Sequence, residues 1–390
     1  MMKNSRNVIV VGGSHHNTLG VIRGLGRKGL KPYVILTSRN TRSFVLRSKY
    51  IEKSWIVDDS DLAIELLLKE FSSETEKPVL IACHDSISSV FDLRRDELLT
   101  YFEVPGSKQS GKITFLMDKK KMGDLAAQIG LNVPETIIIN YSNVSLFENI
   151  PFPCITKPVE SKSGSKGEIV ICNNKKELLT FLKDSHKNYI VQRYIDKQFE
   201  FQLIGCSLDC GHDIIIPGVS VILRQGRSSN TGFLHYTRLD GTYLETVRAA
   251  KSFIRETGYS GLFSVEFLRD KEGVDYFLEI NFRNDGNSIS VVNAGVNLPF
   301  IWYLYCIDSD YSSEVVPIHD EYVMPEFAEL SLFIQRQISW KQWICDMKKA
   351  TSYMDYAEDD PAPTEGWKRY KKQRRTAIVK RIVKTIIGKK

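Results

Sequence analysis

The sequence predicts two kinds of fold in series, an α/β doubly wound parallel sheet and then a larger α+β body built on an antiparallel sheet. Three observations carry this. Residues 7–13 are an apolar run ending in glycines, residues 19–29 repeat apolar side chains at helical spacing, and residues 31–36 are a second apolar run. That is a βαβ unit, which opens a parallel sheet. The alternation continues with a helix at 62–71, a strand at 78–82 and a helix through 90–99, as a doubly wound domain requires. From residue 200 to about 310 the pattern changes. Long strand-like runs follow one another, with one helical stretch at 244–258, as in an antiparallel sheet.

Between the two lies a smaller unit. A helix at 119–129 stops at Gly130, and Asn132-Val133-Pro134 makes a turn. Strands at 136–139 and 154–157 follow, then the small-residue loop SKSGSKG at 161–167, a strand at 168–172, a helix at 176–183 and a strand at 189–192.

The chain has 390 residues, 42% hydrophobic and 26% charged, the composition of an ordinary soluble globular protein with two or three cores. No apolar run reaches membrane-spanning length. Seven cysteines are scattered through a sequence without an export pattern, which predicts reduced thiols in a cytoplasmic setting. Cys206, Cys210 and His212 have no second ligand pair for zinc and read as core. The glycines of GGSHHNTLG do not make a dinucleotide fingerprint, although His15 and His16 fall in the strand-to-helix turn where such sheets meet ligands. The formal charge of +6 becomes −5 once the eleven Lys and Arg from Lys368 onward are set aside. The basicity therefore belongs to a tail, which argues against a nucleic-acid groove across the body.

The densest chemistry is in FLEINFRNDGNS, residues 277–288, and in GLFSVEFLRD before it. Alternate side chains of a strand share a face. Glu279, Asn281 and Arg283 are expected to point the same way, with Glu266 joining from a neighbouring strand. Two carboxylates and an amide oxygen suit Mg2+, and the guanidinium can hold a phosphate or carboxylate by two hydrogen bonds. Lys157, at a strand end before SKSGSKG, is placed to neutralise phosphate while the loop's backbone N–H groups cover it. Arg224, Arg227 and His235, in RQGRSSNTGFLHYTR, are candidates to bind an anionic substrate or deprotonate an amine, with a solvated basic loop as the equal alternative.

Taken in order, MDKKKM, GLNVPET, ITKP, SGSKG, VQRYI and the E-x-N-x-R strand resemble the ATP-grasp superfamily of carboxylate–amine ligases. RGLGRKGLKPYVI, SKYIEKSW and ACHDS look like the first domain of its D-aspartate ligase-like branch. The resemblance implies an ATP-grasp fold: a pre-ATP-grasp domain at 1–112, a small lid subdomain with its entry helix at 113–195, a large subdomain with the metal site at 196–315 and an extension at 316–390. It implies that Lys119 and Lys157 hold the phosphates of ATP, with Ser163, Gly164, Ser165 and Gly167 closing over them. Gln192, Arg193, Tyr194 and Ile195 would frame adenine, mostly by backbone, and Glu200 would bind ribose. Arg193 departs from relatives, in which an acid is commoner. Glu266, Glu279 and Asn281 would hold Mg2+, or Mn2+ in its place, and Arg283, with Lys157, would serve catalysis. The implied activity joins a carboxylate to an amine through an acyl phosphate, in cell-wall or surface-polysaccharide modification, and a homodimer is compatible with it. The competing readings are a bicarbonate-using carboxylase or carbamoyl-phosphate-type enzyme, and a nucleotide-binding scaffold.

The tail adds a second expectation. Ile378, Val379, Ile382, Val383, Ile386 and Ile387 make an apolar stripe flanked by Lys380, Arg381 and Lys384, with Trp367 and Tyr370 upstream. This pattern suits a helix at residues 367–390 lying on an anionic membrane surface, which would give peripheral attachment to the inner membrane face; a helix packed on the body or on another subunit, and a disordered tail, are the competing readings.

Overall fold

In the computed structural model the described residues are 5–39, 43–144, 148–158, 169–183, 188–225, 232–325, 332, 337–366 and 368. The loop residues Ser163, Gly164, Ser165 and Gly167, the candidate Arg227, and all of 369–390 lie outside them.

Three sheets organise the chain. The first holds β1 (Val8–Gly12), β2 (Tyr33–Thr37), β3 (Ser54–Val57) and β4 (Val79–Ala82), all parallel, in the order β3-β2-β1-β4. Helix α1 (His16–Arg27) packs on one face, where Val21 and Leu25 meet Val8, Val10, Val79 and Ile81. Helices α2 (Ser60–Phe71) and α3 (Asp85–Leu93) pack on the other, against Ile9, Val11, Leu80 and Ala82. Neighbouring β1 and β4 thus send their following helices to opposite faces. The crevice between their carboxyl ends is the switch point at which such sheets bind ligands.

The helix expected over 90–99 is broken. Arg94 leaves helical geometry at φ −102°, ψ 21°, so α3 ends and α4 (Arg95–Leu98) starts anew. Helices α5 (Lys112–Leu116) and α6 (Lys119–Gln128) lead to the second sheet. It consists of β5 (Thr136–Ile139), β6 (Cys154–Pro158), β7 (Val170–Cys172) and, after helix α7 (Lys175–Lys183), β8 (Tyr189–Arg193), antiparallel in the order β5-β8-β6-β7.

The third sheet is the largest. Strands β9 (Lys197–Leu208), β10 (Asp213–Ile215), β11 (Val219–Gln225) and β12 (Gly232–Thr237) precede helix α8 (Leu244–Thr257). Strands β13 (Gly261–Asp270) and β14 (Asp275–Asn281) follow it. Helices α9 (Ile289–Asn293) and α10 (Leu298–Cys306), strand β15 (Glu321–Met324), helix α11 (Trp340–Lys349) and strand β16 (Ser352–Tyr353) complete the fold. The order is β14-β13-β9-β11-β12-β15-β16, with β10 on β9. Residues 321–324 and 352–353 therefore extend the body sheet, although strands so short carry little sequence signal.

Helix α10, LPFIWYLYC, is apolar all round and accordingly buried. It joins the first and third sheets into one core, and Trp302 Nε1 donates to Leu80 O at 3.1 Å. The C-terminal segment docks on the first sheet's helix α1. Arg23 and Asp360, each 1% exposed, form an ion pair at 3.2 Å, and Ser48 Oγ adds a 2.7 Å bond to the same carboxylate. Among the described residues no helix is long and apolar enough to cross a membrane.

Candidate active site

Strands β13 and β14 build the site by register. Glu266 faces Glu279 across the pair, and Ser264 faces Asn281. The register slips between Glu266 and Phe267, because β14 carries one extra residue at Leu278. This bulge lets Phe277 and Ile280 both enter the core formed by Phe263, Val265 and Phe267, while Glu279 and Asn281 share the opposite face with Glu266. Without the extra residue, Glu279 would follow Phe277 into the core.

The polar contacts then close around Glu266. Its Oε1 accepts from Gln202 Nε2 at 3.1 Å and from Asn281 Nδ2 at 3.2 Å. Gln202 Oε1 in turn accepts from Asn287 Nδ2 at 2.7 Å. Burial, and next the charge of Glu279, push the Glu266 carboxyl up to about 8. Lys157 reaches the same space from β6. It is held below the usual lysine range by burial and then by Lys119, while Glu279, Glu200 and Glu266 pull the other way. Its Nζ donates to Gln192 Oε1 at 3.2 Å. Lys119 is the first residue of α6, beside the cap Asp118 that accepts from the N–H groups of Lys120 and Lys121.

Arg283 is held on several sides. Nε and Nη2 donate to the two carboxylate oxygens of Asp85 at 2.6 and 3.2 Å, Nη1 to Asn284 O at 3.1 Å, and Nη2 to Asn281 Oδ1 at 3.0 Å. Burial opposes its charge, but Asp85 and Asp285 outweigh that and raise its pKa. The segment after Arg283 seats in the switch-point crevice. Asn284 N donates to Ala82 O at 3.0 Å, and Asn17 Nδ2 reaches Cys83 O at 3.0 Å and Asn284 O at 2.9 Å. His15 and His16 face this segment at Gly286, their rings 3.8 Å apart.

Glu266, Glu279, Asn281, Arg283, Lys157, Lys119 and Glu200 are thus brought to one region. Glu200 lies on the site face of β9, two residues before Gln202, and pairs with Lys197. In the stretch Gln192–Ile195, the N–H groups of Arg193 and Tyr194 are committed to Glu135 O and Pro153 O at 2.8 and 2.9 Å. They are not the donors that would meet adenine.

His235 and Arg224 require correction as substrate contacts. One cross-strand row runs Glu279, Glu266, Gln202, Ser220, Tyr236, so His235, one residue before Tyr236, points to the opposite face. It stacks on Tyr322 at 4.2 Å and meets Asp320 at 3.2 Å. A bulge between Ile222 and Arg224 puts Arg224 on that same far face, opposite Phe233 and paired with Asp346 at 2.5 Å. Neither parity was legible in a loop-like sequence. The residues that sequence reasoning passed over are Gln202, Asp285, Asn287 and Asp85. Asp285 and Asn287 lie inside FLEINFRNDGNS itself, and Gln202 alternates with Glu200.

The donor set fits a hard divalent cation. Two opposed carboxylates share a buried space, one of them reluctant to ionise beside the other, and Asn287 Oδ1 is buried without a hydrogen-bond partner. Among the described residues no group of three or more His, Cys, Asp or Glu is gathered as metal ligands. The fit rests on two carboxylates and an amide.

Comparison with known proteins finds ATP-grasp proteins among those this chain resembles. A family model described as a RimK-like ATP-grasp domain matches residues 116–206. The chain is 33% identical over 150 residues to D-alanine–D-alanine ligase of Fervidobacterium nodosum, which is 34% of this chain and 45% of that protein. It is 24% identical over 265 residues to D-aspartate ligase of Enterococcus faecium, 62% of each. The matches thus span between about half and three-fifths of the length of these curated relatives. A crystal structure of N5-carboxyaminoimidazole ribonucleotide synthetase with ADP aligns at a TM-score of 0.64 and 15% identity, covering 86% of this chain and 87% of that one. The likeness establishes the fold, which is the ATP-grasp fold.

Proposed function

We propose that this chain, a member of the ATP-grasp superfamily, is an ATP-dependent ligase that joins a carboxylate to an amine through an acyl phosphate, releasing ADP and phosphate. The observation that carries the reading is the opposition of Glu266 and Glu279 across β13 and β14, with Asn281 and the Arg283 fork beside them.

In this reading Lys157 and Lys119 hold the phosphates of ATP, and residues 163–167 cover them. Gln192 to Ile195 border the adenine, and Glu200 receives the ribose hydroxyls. Glu266, Glu279 and Asn281 hold Mg2+ or Mn2+, which when bound neutralises charge on the phosphates. Arg283 orients the acid and offsets charge as its oxygen takes the γ-phosphoryl group. ADP leaves, and the acyl phosphate that forms is a far better electrophile than the carboxylate. The amine nitrogen then attacks the carbonyl carbon, phosphate departs, and the nitrogen gives up its proton to leave an amide. The burial of Glu266 and Lys157 helps to keep water from the acyl phosphate. A setting in cell-wall or surface-polysaccharide modification belongs to the same reading.

The test is ADP release from the full chain with MgATP against a panel of carboxylates and amines. Release that requires one of each supports ligation. Release with bicarbonate alone identifies a carboxylase or carbamoyl-phosphate-type enzyme, and silence throughout identifies a scaffold.

A further inference from the structure

A guanidinium has one edge, Nε with Nη2, that fits a carboxylate through two parallel hydrogen bonds. In Arg283 that edge is filled from within the chain, by both oxygens of Asp85. The two residues belong to different sheets. Asp85 opens α3 just beyond the end of β4, whereas Arg283 follows β14, so the pair spans the switch-point crevice. The Asp85 side chain is 56% exposed and that of Arg283 15%.

The other acid beside this guanidinium is different. Asp285 is 8% exposed, stands 3.7 Å from Nη1, and is fastened by Ser264 Oγ at 3.0 Å and by the N–H of Asn287 at 2.8 Å. One acid is locked in place, and the other can swing away. The Asp85 carboxylate is the exposed end of this pair, so an incoming carboxylate can exchange with it in the fork while Asp85 returns to solvent.

We propose that Asp85 is a displaceable stand-in for the substrate's carboxylate and, once displaced, the receptor for an ammonium group on the same molecule, which makes the site selective for α-amino acids as the acid to be activated. This deepens the ligase reading and rests on it for the assignment of the Arg283 fork to the acid. The argument is one of charge. A plain carboxylate in the fork would lie beside two carboxylates, the fixed Asp285 and the displaced Asp85, with its approach opposed by both. An α-amino acid brings its own cation, two bonds from the carboxylate carbon, to the exposed side where Asp85 waits. The histidine beside the fork is a poor source of that charge: desolvation first, and then Arg283, hold His15 below the usual histidine range. A resident ion pair thus exchanges partners with a zwitterion, each charge finding its opposite.

The test is calorimetric binding, with MgADP present, to the full chain and to Asp85→Asn. The probes are the common L-amino acids, D-alanine and D-aspartate, and, for each that binds, the same acid with hydrogen in place of the ammonium. The wild type should prefer the amino acid by about tenfold or more, the value of a charged hydrogen bond left unmade. Asp85→Asn should weaken the amino acid by a similar factor and tighten the deaminated acid by about two- to fivefold, since its internal competitor is gone. Asp85→Glu should restore the preference. Equal weakening of both ligands, as a merely structural role for the ion pair would give, overturns the proposal, as does the absence of any amino acid that binds. ADP release reports separately on ligation. Opposite shifts without turnover would keep the receptor and remove the ligase reading.

Discussion

Glu279→Gln should make the metal-free protein more stable at alkaline pH and remove its stabilisation by Mg2+. The folded Glu266 carboxyl titrates at about 8, against an ordinary 4.5, because of burial first and the Glu279 charge second. The direction follows from proton counts. Below pH 4.5 both folded and unfolded chains hold this proton, and nothing is lost. Between 4.5 and about 8 the unfolded chain has released a proton that the native state keeps, so stability falls as pH rises. Above about 8 the loss is complete. Each pH unit across that window costs about 1.4 kcal/mol, which sets a ceiling of about 5 kcal/mol. The burial part survives in Glu279→Gln and the charge part disappears, which should recover about 1–2 kcal/mol at pH 9, or roughly 1–3 °C in melting temperature for a chain of this length. A cation at one hundred times its dissociation constant should raise wild-type stability by about 2.7 kcal/mol, and the variant, with one carboxylate fewer, should lose most of that. Thermal unfolding at pH 6 and pH 9, with and without Mg2+, reads both effects. A variant that melts at or below the wild type at pH 9, with an unchanged Mg2+ response, would refute the reasoning.

Two other outcomes are expected. Arg23→Met leaves the buried Asp360 carboxylate without its cation, at a cost of about 3–5 kcal/mol, and limited proteolysis should then cut within residues 355–366; unchanged unfolding and an intact segment would contradict the docking described above. Full-length protein should pellet with anionic vesicles while a 1–365 truncation stays in the supernatant; equal pelleting would remove the membrane role expected of the basic tail.

The order of the sheets and the site strands could be read from the sequence because burial imposes a period. The runs 7–13 and 31–36 became β1 and β2, and GLFSVEFLRD and its successor became β13 and β14. Strict alternation nevertheless places Phe277 and Glu279 on one face, and only the bulge at Leu278 reconciles a buried Phe277 with a site-facing Glu279. A bulge is a backbone choice settled by packing on β13, and no residue type announces it. A second bulge, between Ile222 and Arg224, likewise turns Arg224 to the far face. Asp85 was invisible for another reason. Its partner is 198 residues away, and only the docking of the first sheet against the body brings the two together.

The central claim is that an acid is activated here by phosphoryl transfer beside Glu266, Glu279 and Arg283. Hydroxylamine traps acyl phosphates as coloured hydroxamates, so the most direct measurement is hydroxamate formation by the full chain with MgATP and the carboxylates that trigger ADP release. The account predicts hydroxamate equal to the ADP released in the wild type, and neither product in Glu279→Gln. ADP release without hydroxamate, or turnover retained in that variant, would contradict it.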